Sequence, residues 1–199
     1  MWLVPLAVSV ALTFLTIIGE KLSERNERLH LELLSFGAGL MVGIYFLEIL
    51  PQIPVGEHYL NHLIYLTFLG GFVLIHILEK YVYQQIVSQR KLDQSRDLFE
   101  EVGLVAYGLL IGIFIAIFFE TYGNRAYFLL TPFFVREFSL SLYVRHIGEE
   151  LEGQLIRVLQ YGSYVFGTIV GLFLIQNKSQ LYFVFSLIMG LILYIVVRD

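Results

Sequence analysis

Arg145-His146-Ile147-Gly148-Glu149-Glu150-Leu151-Glu152-Gly153 packs two basic-type side chains and three carboxylates into nine residues. Almost everything around it is apolar. Residues three and four apart share one face of a helix. If the stretch is helical, His146 therefore stacks with Glu149 and Glu150, and Glu149 with Glu152. One imidazole and two carboxylates on a stripe offer nitrogen and oxygen ligands suited to zinc, iron or manganese. Arg145 can also pair with Glu149 at i+4. The same residues then form a salt-bridged cluster in which the guanidinium supplies the charge a metal would bring. A third reading makes the stretch an amphipathic turn at a membrane surface.

The rest of the chain decides how much weight each reading carries. Of 199 residues, 57% are hydrophobic and 15% charged, with mean hydropathy +0.73. Soluble domains carry about 25% charged residues. The deficit, together with long apolar runs, predicts an integral membrane protein. Cysteine is absent, which excludes disulfides, thiolate metal sites and cysteine nucleophiles. No basic patch with interleaved aromatics predicts nucleic-acid binding. No His-Glu-x-x-His, Gly-x-Ser-x-Gly or phosphate-cradling glycine loop is present, so an enzyme is not expected.

Apolar runs predict an all-α polytopic transmembrane bundle of about seven spans, forming a single domain over 1–199. They lie near 2–19, 31–50, 60–83, 102–119, 158–175 and 181–197, with one more between 126 and 155. Each is close to the ~20 residues that cross a bilayer. The first lacks a positive leader and a small-residue cleavage site, and reads as a retained span. Residues 52–58, with Pro54 and Gly56, read as a turn. Residues 84–101 read as a polar cytoplasmic linker. The fifth span has two registers. One runs over 126–144 and takes Arg136 and Glu137 into the membrane. The other runs over 138–155, takes in the polar nonet, and leaves an interfacial piece kinked at Pro132.

Lys21, Arg25, Arg28, Lys80, Arg90, Lys91, Arg96 and Arg157 fall on one side of this arrangement, with only Arg125 and Lys178 opposite. The positive-inside rule then places the amino terminus outside and the carboxyl terminus in the cytoplasm. In the second run, Gly39 and Gly43 form a small-xxx-small face that lets another helix approach; a homodimer is one assembly left open. Glu48 lies inside that run, one turn before Pro51. A carboxylate there costs about 2.5–3.5 kcal/mol on insertion scales, so it faces a partner, faces water, or snorkels to the interface.

The stretch Phe36-Gly-Ala-Gly-Leu-Met-Val-Gly-Ile-Tyr-Phe-Leu-Glu-Ile-Leu-Pro51 resembles the second helix of the ZIP family of divalent-cation transporters. Leu74-Ile-His-Ile-Leu-Glu-Lys80 resembles that family's third helix, and Phe185 to Asp199 its seventh. The family has eight helices, and this chain ends where an eighth would begin. The resemblance departs from the pattern where metal chemistry is expected. In the fourth helix, ligand positions fall on Gly103, Leu104 and Tyr107, although the following glycine is kept as Gly108. In the fifth, His146, Ile147, Glu149 and Glu150 fit the pattern and Arg145 stands at a ligand position. The loop at 84–101 lacks the family's histidines.

The resemblance implies a permease for zinc, iron or manganese with a degenerate site. Its expected metal residues are His146, Glu149, Glu150 and Glu48. The rival implication is a transport-inactive membrane protein with a binding or regulatory role, the old site neutralised by Arg145. The expected partners are the lipid bilayer and a divalent cation as cargo; no resident cofactor is expected.

Overall fold

The computed structural model describes residues 2–22, 27–88, 93–147 and 154–198. Among these the chain is almost wholly helical, with no strand. It divides into two compact units, one of Met1–Ile44 and Val105–Phe173, the other of Tyr45–Leu104 and Leu174–Asp199. Three helices are long and apolar enough to cross a membrane, over Leu3–Leu22, Glu32–Ile49 and Gly103–Leu129; shorter apolar helices cover Leu63–Leu78, Val158–Leu174 and Lys178–Tyr194. This composition points to a membrane protein.

The first unit holds α1 (Leu3–Leu22), α2 (Glu27–Ile44), most of α5 (Asp93–Tyr122), α6 (Ala126–Leu129), α7 (Thr131–Ile147) and nearly all of α8 (Gln154–Leu174). In α1 the buried residues Pro5, Ser9, Leu12, Thr16 and Gly19 recur every three or four positions and make one face. Its hydroxyls enter that face without orphaned donors: Ser9 donates to the Leu6 carbonyl at 2.9 Å, Thr13 to Ser9 at 3.0 Å and Thr16 to Leu12 at 3.0 Å. Helix α1 packs on α7, where Gly19 lies against Phe138 and Ser141. Helix α2 packs on the same helix, with Gly37 against Val135 and the backbone of Arg136.

Helix α5 is buried all round in its middle, from Phe114 to Phe118. A helix apolar on every side belongs inside a bundle. Phe114 meets Phe133 of α7 with ring centroids 4.8 Å apart.

The fifth run, read over 126–144 or 138–155, is helical over Ala126–Leu129 and Thr131–Ile147 among the described residues. The break falls at Leu130, between α6 and α7, and Pro132 sits in the first turn of α7, where a missing N–H costs nothing. Arg136 and Glu137 lie inside α7 and are 8% and 3% exposed; Ser139 and Ser141 are also buried. This helix carries its polar residues inward, so apolar composition is demanded of its neighbours rather than of itself.

The second unit holds the π-helical turn Tyr45–Ile49, α3 (Gln52–Leu60), α4 (Leu63–Ser88), the start of α5 and α9 (Lys178–Arg198). Pro51 has no N–H and crowds the carbonyl four residues back. The chain widens before it, and the Leu50 N–H reaches the Tyr45 carbonyl at 2.8 Å. Residues 52–58, expected as a turn, are helical instead. Pro54 is tolerated in the first turn, and Gly56 fits against Ile64 and Tyr182. Helix α3 ends at Asn61, whose N–H donates to the Glu57 carbonyl at 2.8 Å.

Within the stretch expected as a linker at 84–101, residues 84–88 and 93–101 are helical. Helix α4 runs to Ser88 and α5 starts at Asp93, where Gln, Glu, Arg and Leu favour helix. Helices α4 and α9 approach through reciprocal notches, Gly71 against the Leu187 carbonyl and Gly190 against Phe68. Thr67 and Ser186 hydroxyls meet between them at 2.5 Å. Tyr45 donates to the Met189 carbonyl at 3.0 Å.

Candidate functional site

Glu137 and Arg136 are buried charged residues of the first unit, and a polar cluster is built around Glu137. Glu137 and Arg136 are consecutive on α7, so their side chains leave the helix about 100° apart. A phenol from α5 bridges them. The Arg136 guanidinium donates from Nη1 to Tyr107 Oη at 2.5 Å, and Tyr107 donates its own hydroxyl to Glu137 Oε1. The guanidinium carbon also lies 5.7 Å from the Tyr107 ring centroid. On the other carboxylate oxygen, Tyr164 of α8 donates from Oη to Oε2 at 2.9 Å. Tyr164 is 2% exposed. Three helices thus converge on one carboxylate.

Close packing of α5 on α8 brings the two phenols there. Gly108 faces Ser163, Gly112 faces the Tyr164 carbonyl and Thr168, Gly167 faces the Leu109 carbonyl, and Gly171 faces Ile113 and Ala116. Small residues every four positions let the backbones approach. Thr168 then donates across the seam to the Gly112 carbonyl at 3.1 Å.

Helix α1 extends the polar seam. Thr13 donates to the Tyr161 carbonyl at 3.2 Å, and the Tyr161 hydroxyl donates to Glu20. Glu20 is only partly buried.

Compared with known proteins, the chain matches no family model, no curated protein and no solved structure.

The residues expected to bind metal fare differently. Arg145, His146 and Ile147 form the end of α7, with the His146 side chain outside the described residues; Glu149, Glu150 and the rest of the nonet lie outside them altogether. His146 follows Glu137 by nine residues, about 13 Å along a helix. Glu48 is placed in the second unit, on the π-helical turn, and is exposed. The α3–α4 corner of that unit joins His62 to Glu57 at 3.2 Å, with Tyr65 donating to Glu57 at 2.8 Å. His76 meets the Tyr194 hydroxyl at 3.3 Å. Among the described residues, no three His, Cys, Asp or Glu side chains gather closely enough to hold a metal ion.

Sequence reasoning had Arg136 and Glu137 in view only as a burden on one span register, and set Tyr107 aside as a poor metal ligand. It did not single out Tyr164. The available signal was tyrosine beside a glycine ladder: Tyr107 next to Gly108-x-x-x-Gly112, and Tyr164 next to Ser163-x-x-x-Gly167-x-x-x-Gly171.

Chemically, the cluster holds one carboxylate and one guanidinium. Both oxygens of Glu137 accept a phenol hydrogen. Its donors are hard oxygens, with no imidazole among the described members. Such a set is suited to holding a single charge at depth, and unsuited to gripping zinc by itself.

Proposed function

We propose that the chain is a ZIP-like membrane permease for divalent cations, with zinc, iron or manganese as cargo. It crosses the bilayer about seven times, with the amino terminus outside and the carboxyl terminus in the cytoplasm. The observation that carries this reading is Glu137, an acid 3% exposed within a bundle of apolar helices. Ionisable groups at bilayer depth are expensive, and they mark ion and proton pathways. The glycine-rich Phe36–Pro51 stretch supports the family assignment. His146, Glu149 and Glu150 serve as cation ligands, Glu48 as a wayside carboxylate, and Glu137 as fixed charge beside the path. Binding to His146 displaces protons, so cation affinity falls as the pH drops.

One observation favours a second reading. Arg136, through Tyr107, already balances the charge of Glu137. A permanently neutralised cluster suits a transport-inactive protein that keeps the bundle for a binding or regulatory role. Uptake of radioactive zinc, iron and manganese into proteoliposomes separates the two. The permease reading expects flux above empty vesicles, lost in Glu149→Ala. No flux for any of the three ions sinks it in favour of the inactive protein.

A further inference from the structure

We propose that the α3–α4 corner of the second unit is a divalent-cation site, with Glu57 Oε1 and His62 Nδ1 as its two protein ligands and water completing the shell. An imidazole nitrogen beside a carboxylate oxygen suits zinc or ferrous iron better than calcium or magnesium. Its role as an entry station for cargo rests on the permease reading; the coordination itself does not.

The backbone places both ligands before either side chain is considered. Glu57 lies in the last turn of α3 and His62 in the reversal before α4. The Asn61 N–H donates to the Glu57 carbonyl at 2.8 Å, and the Tyr65 N–H to the His62 carbonyl at 3.2 Å. The reversal is thus tied to the end of one helix and the start of the next. The two ligands are close in sequence, so little chain entropy is lost when an ion joins them.

The side chains are constrained as well. Tyr65 of α4 donates its hydroxyl to Glu57 Oε2 at 2.8 Å. That bond holds the carboxylate in one orientation, with Oε1 toward the imidazole. Metal sites orient ligating carboxylates in the same way, by a hydrogen bond from outside the coordination shell. Tyr65 is accordingly a positioning residue. His62 Nδ1 and Glu57 Oε1 stand 3.2 Å apart. Two ligands each about 2.0–2.1 Å from a tetrahedral zinc are separated by about 3.3 Å. The pair already has the span of two metal ligands, so the ring and the carboxylate need to turn rather than separate.

The corner is open rather than sealed in the bundle. The His62 side chain is 91% exposed and that of Glu57 36%. A hydrated ion reaches it without any helix moving. On binding, Nδ1 gives its lone pair to the ion, and the hydrogen it shared with Glu57 leaves to water or to Nε2. No third His, Cys, Asp or Glu gathers there among the described residues, so water fills the remaining positions. His58, beside Glu57 in the sequence, meets Tyr59 edge to face with ring centroids 5.5 Å apart. Two protein ligands bind weakly and release readily, as an entry station requires. In the permease reading this corner faces the outside, where cargo arrives.

The test is a zinc titration of the full chain in proteoliposomes, with isotope-labelled histidine read by solid-state nuclear magnetic resonance. One histidine Nδ1 resonance is expected to take a metal-coordination shift, and to vanish in His62→Gln. Glu57→Gln removes the ligand charge and is expected to abolish the shift. Tyr65→Phe keeps both ligands; its zinc affinity is expected to fall about tenfold, with the saturated signal back at the wild-type position. His58→Ala is expected to leave the titration unchanged. Should Glu57→Gln fail to fold, Tyr65→Phe carries the assignment. Coordination through Nε2, a shift indifferent to Glu57→Gln and Tyr65→Phe, or no shift at millimolar zinc overturns the inference. Zinc uptake by the same vesicles keeps the two readings apart. Coordination without flux removes the permease and leaves the site; flux without coordination removes the site and leaves the permease.

Discussion

Tyr164 of α8 donates its hydroxyl to Glu137 of α7 across 2.9 Å, from one buried residue to another. That bond depends on three separate features of the sequence. The α8 glycines must let α5 and α8 meet, α7 must turn its polar face inward, and Arg136 must lie one residue before the acid. Removing any one of them exposes the others.

Tyr164→Phe deletes the donor and keeps the ring. A hydrogen bond to a charged group contributes about 1.5–3 kcal/mol in soluble proteins, and polar contacts inside membrane proteins average nearer about 0.6 kcal/mol. The variant is therefore expected to lose about 1 kcal/mol of stability. Reversible unfolding in detergent measures it. A loss indistinguishable from zero means the Tyr164 bond is not formed.

Arg136 and Glu137 are expected to be strongly coupled. Arg136→Met leaves the acid buried without its counter-charge, at a cost of about 3–5 kcal/mol, and Glu137→Leu strands the guanidinium in the same way. The double variant removes both charges and should cost well under the sum. A double-mutant cycle on unfolding free energies gives the coupling directly. Additive losses would show that the phenol bridge does not join the two.

Glycine substitutions separate packing from open surface. Gly112→Ala and Gly167→Ala each drive a methyl group into the backbone of the facing helix, at about 1–3 kcal/mol. They should also weaken whatever Tyr107 and Tyr164 do together. Gly39→Ala and Gly43→Ala meet nothing within 4 Å among the described residues. They should be neutral, or stabilising by about 0.5–1 kcal/mol, because alanine restrains the unfolded chain. Equal losses at all four positions contradict this packing.

The helical, membrane-type character of the chain was readable because long apolar runs leave few alternatives. Six of the runs coincide with apolar helices. Helix α7 was harder. Hydropathy measures what a helix shows to lipid, and α7 packs on α1 and α2 with Arg136, Glu137, Ser139 and Ser141 buried. Proline misled at 52–58, where position within the first turn of α3 mattered more than the residue's reputation. The buried acid itself was visible, but its partners were not. Tyr107 and Tyr164 are 57 positions apart in the sequence, and nothing local says that two tyrosines share a carboxylate. The nonet drew attention because its charges are adjacent in sequence. The cluster that the described residues do form draws on helices α5, α7 and α8.

The most direct measurement is cation uptake by Glu137→Gln in proteoliposomes, with folding verified and wild-type protein alongside. The account predicts that wild-type vesicles accumulate zinc, iron or manganese and that Glu137→Gln vesicles fall to the level of empty ones. Wild-type flux in folded Glu137→Gln would contradict it, since the acid at the centre of the first unit would then have no part in moving ions.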